Sequence, residues 1–176
     1  MALRRALLLL VGLGAAACAM TSPGPATGAP TPVALDSAAH DVVAFLRGQA
    51  PFERLRLADT VELRVAPEGG DARIALSRDA LRDRARWVVG RGGAQHVLLP
   101  PTGLPRLTTK VGAHFACREQ RLASRAPDLA SLPHVGVRLT PDTTASCLQS
   151  WNLTLVFAPD EPAPRLVAAV YDQWEW

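Results

Sequence analysis

Two carboxylates and a carboxamide in the last third of the chain are the residues best spaced to do chemistry. On the expected strands Glu119 shares a face with Cys117, and Gln149 shares one with Cys147 and Trp151. Asp172 alternates with Val170 and Trp174, so the three polar groups converge where the covered face of a sheet would open. A carboxylate between aromatic walls in such a pocket has a raised pKa and can serve as a general acid or base. The competing reading puts all three at strand ends, in water and idle.

Other chemistries find less support in the spacing. His40, His96, His114 and His134 are scattered with no close pair, which is not the pattern of a metal site, and they read as surface or loop residues. Serine-hydrolase elbows, Walker loops and dinucleotide fingerprints are absent, and the GRGG at 90–93 follows an expected helix, the wrong context for phosphate. No metal and no cofactor are therefore assigned. Asn152-Leu153-Thr154 matches a glycosylation sequon but reads most simply as three strand residues.

The elements that must position these residues follow from periodicity. Residues 147–157 and 165–176 read as two long strands joined by APDEPAP, whose prolines cannot donate to a ladder. On the first, Cys147, Trp151, Leu153, Leu155 and Phe157 share one face while Ser150, Asn152 and Thr154 share the other, the alternation of a sheet covered on one side. The second is apolar on both faces from 166 to 171, which puts it inside the sheet. Upstream, Ser37 caps a helix through Ala39, Val42, Val43 and Leu46 that ends at Gly48, and a short helix starts at Pro51. Residues 61–65 and 72–76 form a hairpin about PEGGD, and Ser77 caps a further helix, SRDALRDRARWVV. Strands are expected over 95–99, 107–120 and 133–140, with a loop or short helical turn over 121–132. The fold class is α+β, with N-terminal helices on a mostly antiparallel sheet.

At the N-terminus two arginines precede an apolar run over 6–13, too short to span a bilayer, and small residues 14–17 lead into Cys18. That is the pattern of a secretory signal. AAAC resembles the lipobox of bacterial lipoproteins, although Ala15 stands where that family usually has Leu. The resemblance implies cleavage before Cys18, acylation of its thiol and anchoring to a membrane of the cell envelope. Ordinary cleavage after an Ala-x-Ala site at 15–17 stays open. With Cys18 lipidated, Cys117 and Cys147 remain as a pair in an oxidising compartment, and strand parity points both into one buried layer. A disulfide there would add about 3–4 kcal/mol; two separate buried thiols are the alternative. Residues 19–34 carry four prolines and almost no large apolar side chain, which makes them a spacer. The expected organisation is a signal peptide over 1–17, a lipidated Cys18 and tether over 18–35, and one globular domain over 36–176.

The order of helices, the hairpin with PEGGD, the segment ALSRDALRDRARWV and the closing strands resemble the nuclear transport factor 2-like fold, including its polyketide-cyclase-like branch. That resemblance implies a sheet curled into a cone against the helices and enzymes, binding modules and structural domains alike. Without Arg4 and Arg5 the body carries 17 basic against 16 acidic residues, which gives no footprint for nucleic acid. The expected function is a lipid-anchored envelope accessory or binding domain with a protein partner or small ligand; the alternative is a cone-fold enzyme using a buried carboxylate. Trp174 and Trp176 fit either a docking patch for an envelope protein or the closing of the core.

Overall fold

The structure is a computed structural model and describes residues 28–65, 72–91, 94–115, 121–142 and 149–172. Cys18, Cys117, Cys147, Glu119, Trp174 and Trp176 lie outside these residues, and with them the expected disulfide, the expected lipidation site and the expected terminal aromatic patch.

Helix α1, Pro32–Leu46, starts where the Thr31 hydroxyl accepts from Ala34 N at 3.2 Å and Pro32 supplies a fixed φ at the first position. The start lies ahead of Ser37, the expected cap, because Leu35 is already buried and extends the stripe of Ala39, Val42, Val43 and Leu46 by a turn. Gly48, at φ +74°, ends it, and Gln49 N donates back to Ala44 O. The short helix expected from Pro51 is a single 3-10 turn, Phe52–Arg54.

Among the described residues eight strands follow: β1 Leu57–Val65, β2 Ala72–Ser77, β3 Val88–Arg91, β4 Ala94–Val97, β5 Arg106–Val111, β6 His134–Thr140, β7 Trp151–Phe157 and β8 Leu166–Tyr171. Six form one curved sheet in the order β2-β1-β8-β7-β6-β5, while β3 and β4 pair separately. Both expected hairpins are present, and β8 does lie inside the sheet, antiparallel to β7 and parallel to β1. The fold is thus mixed α+β with a mostly antiparallel sheet. One face packs on α1, where Phe45 meets Phe52 and Trp87 edge-on or tilted above Val61, Leu63, Val137, Leu153 and Leu155.

The helix expected over 77–89 does not form. Ser77 does accept from Ala80 N, but Asp83 takes an extended conformation and its carboxylate accepts from Ala85 N at 2.9 Å, which interrupts the helical ladder. Two 3-10 turns, Ala80–Arg82 and Arg84–Arg86, replace it. Trp87 is then fully buried, its indole N–H donating to Leu81 O at 3.1 Å, and Val88 and Val89 join β3 against Val97 and His96. Burying one large aromatic outweighs a helix of weak intrinsic drive.

The long strand expected over 107–120 also stops early. β5 ends at Val111, and Gly112, at φ +70°, turns the chain across the sheet with its N–H donating to His134 O. The parity that put Cys117 in the layer of Val111 is therefore broken at Gly112. Residues 113–115 lie directly on β6, where a Cβ on Gly136 would come within 2.6 Å of Ala113 O. We expect Gly136→Ala to lower stability by about 2 kcal/mol through this overpacking. A denaturant midpoint equal to wild type would show that 113–115 does not rest on β6.

This crossing overturns the expectation of a one-sided sheet. All of β7 is buried, Asn152, Thr154 and Val156 included. Their face is covered by His114 and Phe115, by the short helix α2 (Leu122–Arg125), and by Ala126, Leu129 and Leu132 against Val156, Ala168 and Val170.

Candidate functional site

Asp172 follows β8 on the covered rear face, because Leu153 pairs with Tyr171 and so puts Tyr171 with Trp151 and Asp172 with Val170. Its side chain is 4% exposed and has two basic neighbours: His114 Nε2 at 3.4 Å from Oδ2, and Arg125 Nε at 3.9 Å from the same oxygen. On its other side the His114 ring shares a hydrogen bond through Nδ1 with Thr154 Oγ1 at 2.7 Å. The sequence builds this locally. Gly112 turns the chain and Gly136 leaves room above β6, which brings His114 over Thr154, the neighbour of Gly136 on β7. Burial, then the charge of Asp172, raises the Tyr171 phenol above its ordinary value.

The line Thr154 hydroxyl, His114 imidazole, Asp172 carboxylate has the parts of an activated nucleophile. It is closed, however, and none of the described clefts is lined by any of the three. Its contacts with α2 and with residue 114 hold the covering segment to the sheet. Two further contacts do the same. Arg64, 1% exposed, donates from Nη1 and Nη2 to both oxygens of Asp128 at 2.9 and 2.8 Å and from Nε to Glu62 at 2.8 Å. The pairing raises the guanidinium pKa and holds Asp128 below the usual carboxylate range, the hydrogen bond being the main cause in each case. Arg138, hydrogen-bonded to Asn152 Oδ1 at 2.9 Å, lies under the Phe115 ring at 4.6 Å, and burial lowers its pKa.

Of the expected trio, Asp172 is buried on the rear face, Gln149 lies exposed in the approach to β7, and Glu119 is outside the described residues. Gln149 and Asp172 are thus not joined in one closed pocket. His114, Thr154, Arg125 and Arg64 were missed; the available signal was Gly112 two residues before a histidine, and polar Asn152 and Thr154 in an otherwise apolar strand. Among the described residues no group of three His, Cys, Asp or Glu is arranged to hold a metal ion, and no helix is long and apolar enough to cross a membrane.

Open surface lies elsewhere. A cleft of about 240 Å³ runs between the first half of α1 and the end of β7, walled by Ala38, Val42, Phe157 and Arg56, with Arg54 paired to Asp41 at 2.5 Å. Beside it a cleft of about 360 Å³ is lined by Arg56, Arg78, Arg165, Glu53 and Glu161. A wider groove of about 740 Å³ lies at the far end of α1, along the proline-rich 99–105 loop.

No known family model, curated protein or solved structure matches this chain.

Proposed function

We propose that the protein is a lipid-anchored binding or accessory domain of the bacterial cell envelope, held off a membrane by its proline-rich tether. The observation that carries this reading is the arrangement of residues 1–18: a basic start, a short apolar run and small residues ending in a cysteine. It is supported by the closure of Asp172, the carboxylate of the expected trio that lies within the described residues, beneath the covering segment. Oxidising surroundings and the odd cysteine count support a Cys117–Cys147 disulfide as part of the same proposal, although strand parity no longer does. The finer fold reading, a nuclear transport factor 2-like cone, draws on the curved six-stranded sheet with α1 against one face.

The second reading, a small-molecule enzyme with a buried carboxylate, is favoured by the hydroxyl, imidazole and carboxylate line and opposed by the burial of Thr154. Expression in a bacterial host tests the anchor. The wild-type chain should fractionate with membranes, begin at Cys18 and carry acyl chains by intact mass, and Cys18→Ser should be released to the soluble fraction. A soluble wild-type product without acyl mass would refute the anchor, and titratable thiols at Cys117 and Cys147 would refute the disulfide.

A further inference from the structure

We propose that the cleft between Arg56, Arg78 and Arg165 is an anion-binding site, taking a phosphate or carboxylate group presented by a solute or by a lipid headgroup. The three guanidinium groups come from three separate segments brought to one end of the sheet. Leu166 N donates to Arg56 O at 2.8 Å, which sets Arg56 beside Arg165, and Arg78 N donates to Asp59 O at 2.9 Å, which sets Arg78 one strand further along. The cleft they line has a volume of about 360 Å³, room for an anion of several heavy atoms.

The two carboxylates in its wall are already engaged. Glu53 is held below the usual carboxylate range first by a hydrogen bond from the backbone and then by Arg82, from which Oε1 accepts at 2.8 Å; Glu161 Oε1 meets Arg165 Nη2 at 2.5 Å. Arg56 and Arg78 have no ion-pair partner among the described residues, and Arg165 Nε is shielded from solvent without a hydrogen bond. In the neighbouring cleft Arg54 is already held by Asp41, while Arg56, the residue common to both walls, has no ion-pair partner among the described residues. Like charges gathered at one end of a sheet repel, and an anion between them removes that repulsion while filling unused forked donors. The bland alternative, a solvated basic patch, does not require the donors to line one concavity.

The inference rests on the reading of a binding domain and names its ligand class. It does not use the anchor, so mass and fractionation can fail while binding succeeds, or the reverse. The test uses the full-length Cys18→Ser chain. Calorimetric titration with pyrophosphate should give saturable binding at one site, weakened by about tenfold or more in Arg56→Gln/Arg78→Gln. Arg84→Gln/Arg86→Gln, an equal loss of charge on exposed residues outside the cleft, should bind as wild type. If pyrophosphate does not bind but vesicles of phosphatidylcholine with phosphatidylglycerol capture the chain, and the first double variant alone releases it, the anion is a headgroup. Binding to neither probe, or equal weakening by both double variants, overturns the site.

Discussion

Asp172→Ala should destabilise the protein by about 3 kcal/mol, the cost of removing a buried carboxylate from the two side chains packed against it. Two groups lose it, His114 at 3.4 Å and Arg125 at 3.9 Å, and neither has a substitute carboxylate among the described residues. Urea unfolding of wild type, Asp172→Ala, His114→Ala and the double variant would measure the effect. Because the residues touch, the double variant should cost less than the two single changes together by about 1 kcal/mol. Pyrophosphate binding should be unchanged, since the arginine cleft lies at the opening of β8 and Asp172 beyond its end. A wild-type midpoint for Asp172→Ala would remove the structural role argued for this carboxylate and return it to the list of groups kept for chemistry.

The framework of the fold was legible wherever a pattern is local. The β1–β2 hairpin shows itself in the alternation of Val61, Leu63 and Val65 with Glu62 and Arg64, and β8 in an apolar run too uniform for a sheet edge. What could not be read is set by contacts distant in sequence. Gly112 looks the same in a continuing strand as at a left-handed turn, and only the close approach of Ala113 to Gly136 distinguishes the two. Asn152 and Thr154 read as solvent-facing because their partners, Arg138 and His114, come from other segments that no periodicity predicts. The 77–89 segment carries helical spacing, yet Trp87 gains more by entering the core than a helix would by forming.

The same limit applies to the sites. Asp172 was legible as a polar residue interrupting an apolar strand, but its role was not, because the register of β7 on β8 decides which face it occupies. Gln149 and Asp172 converge only if the first strand already runs at 147–149 and the two share a face; β7 starts at Trp151, and the register puts Asp172 on the rear face. The arginine cleft left no trace in spacing at all. Its three residues sit in the turns before β1, after β2 and before β8, and in an arginine-rich chain each passes for an ordinary surface charge.

Arg64→Ala should be more damaging still, at about 3–5 kcal/mol, since it removes the long side chain that fills the rear face as well as its charge. Arg64 lies between Arg73 and Val170 in the register of an interior strand, and Asp128 reaches down from the covering segment to accept two of its hydrogen bonds. Arg64→Met retains most of the volume. Asp128 is 54% exposed and can turn to water, so Met should cost about 1–2 kcal/mol, well short of alanine. The reciprocal change, Asp128→Asn, should cost only about 1 kcal/mol, because solvent screens that end of the pair. Acid separates the pair from simple packing. The folded-state pKa of Asp128 is depressed, so its ionised form stabilises the native state above the unfolded value of about 3.9, and that contribution disappears as pH falls through the folded value. The stability gap between wild type and Asp128→Asn should therefore be full at neutral pH and close as pH falls below the unfolded carboxylate value of about 3.9. Arg64 stays charged throughout this range, its pKa being raised further by the same contact. A gap that persists unchanged into acid would mean that Asp128 acts through shape, and that the charge of Arg64 is balanced by Glu62 alone.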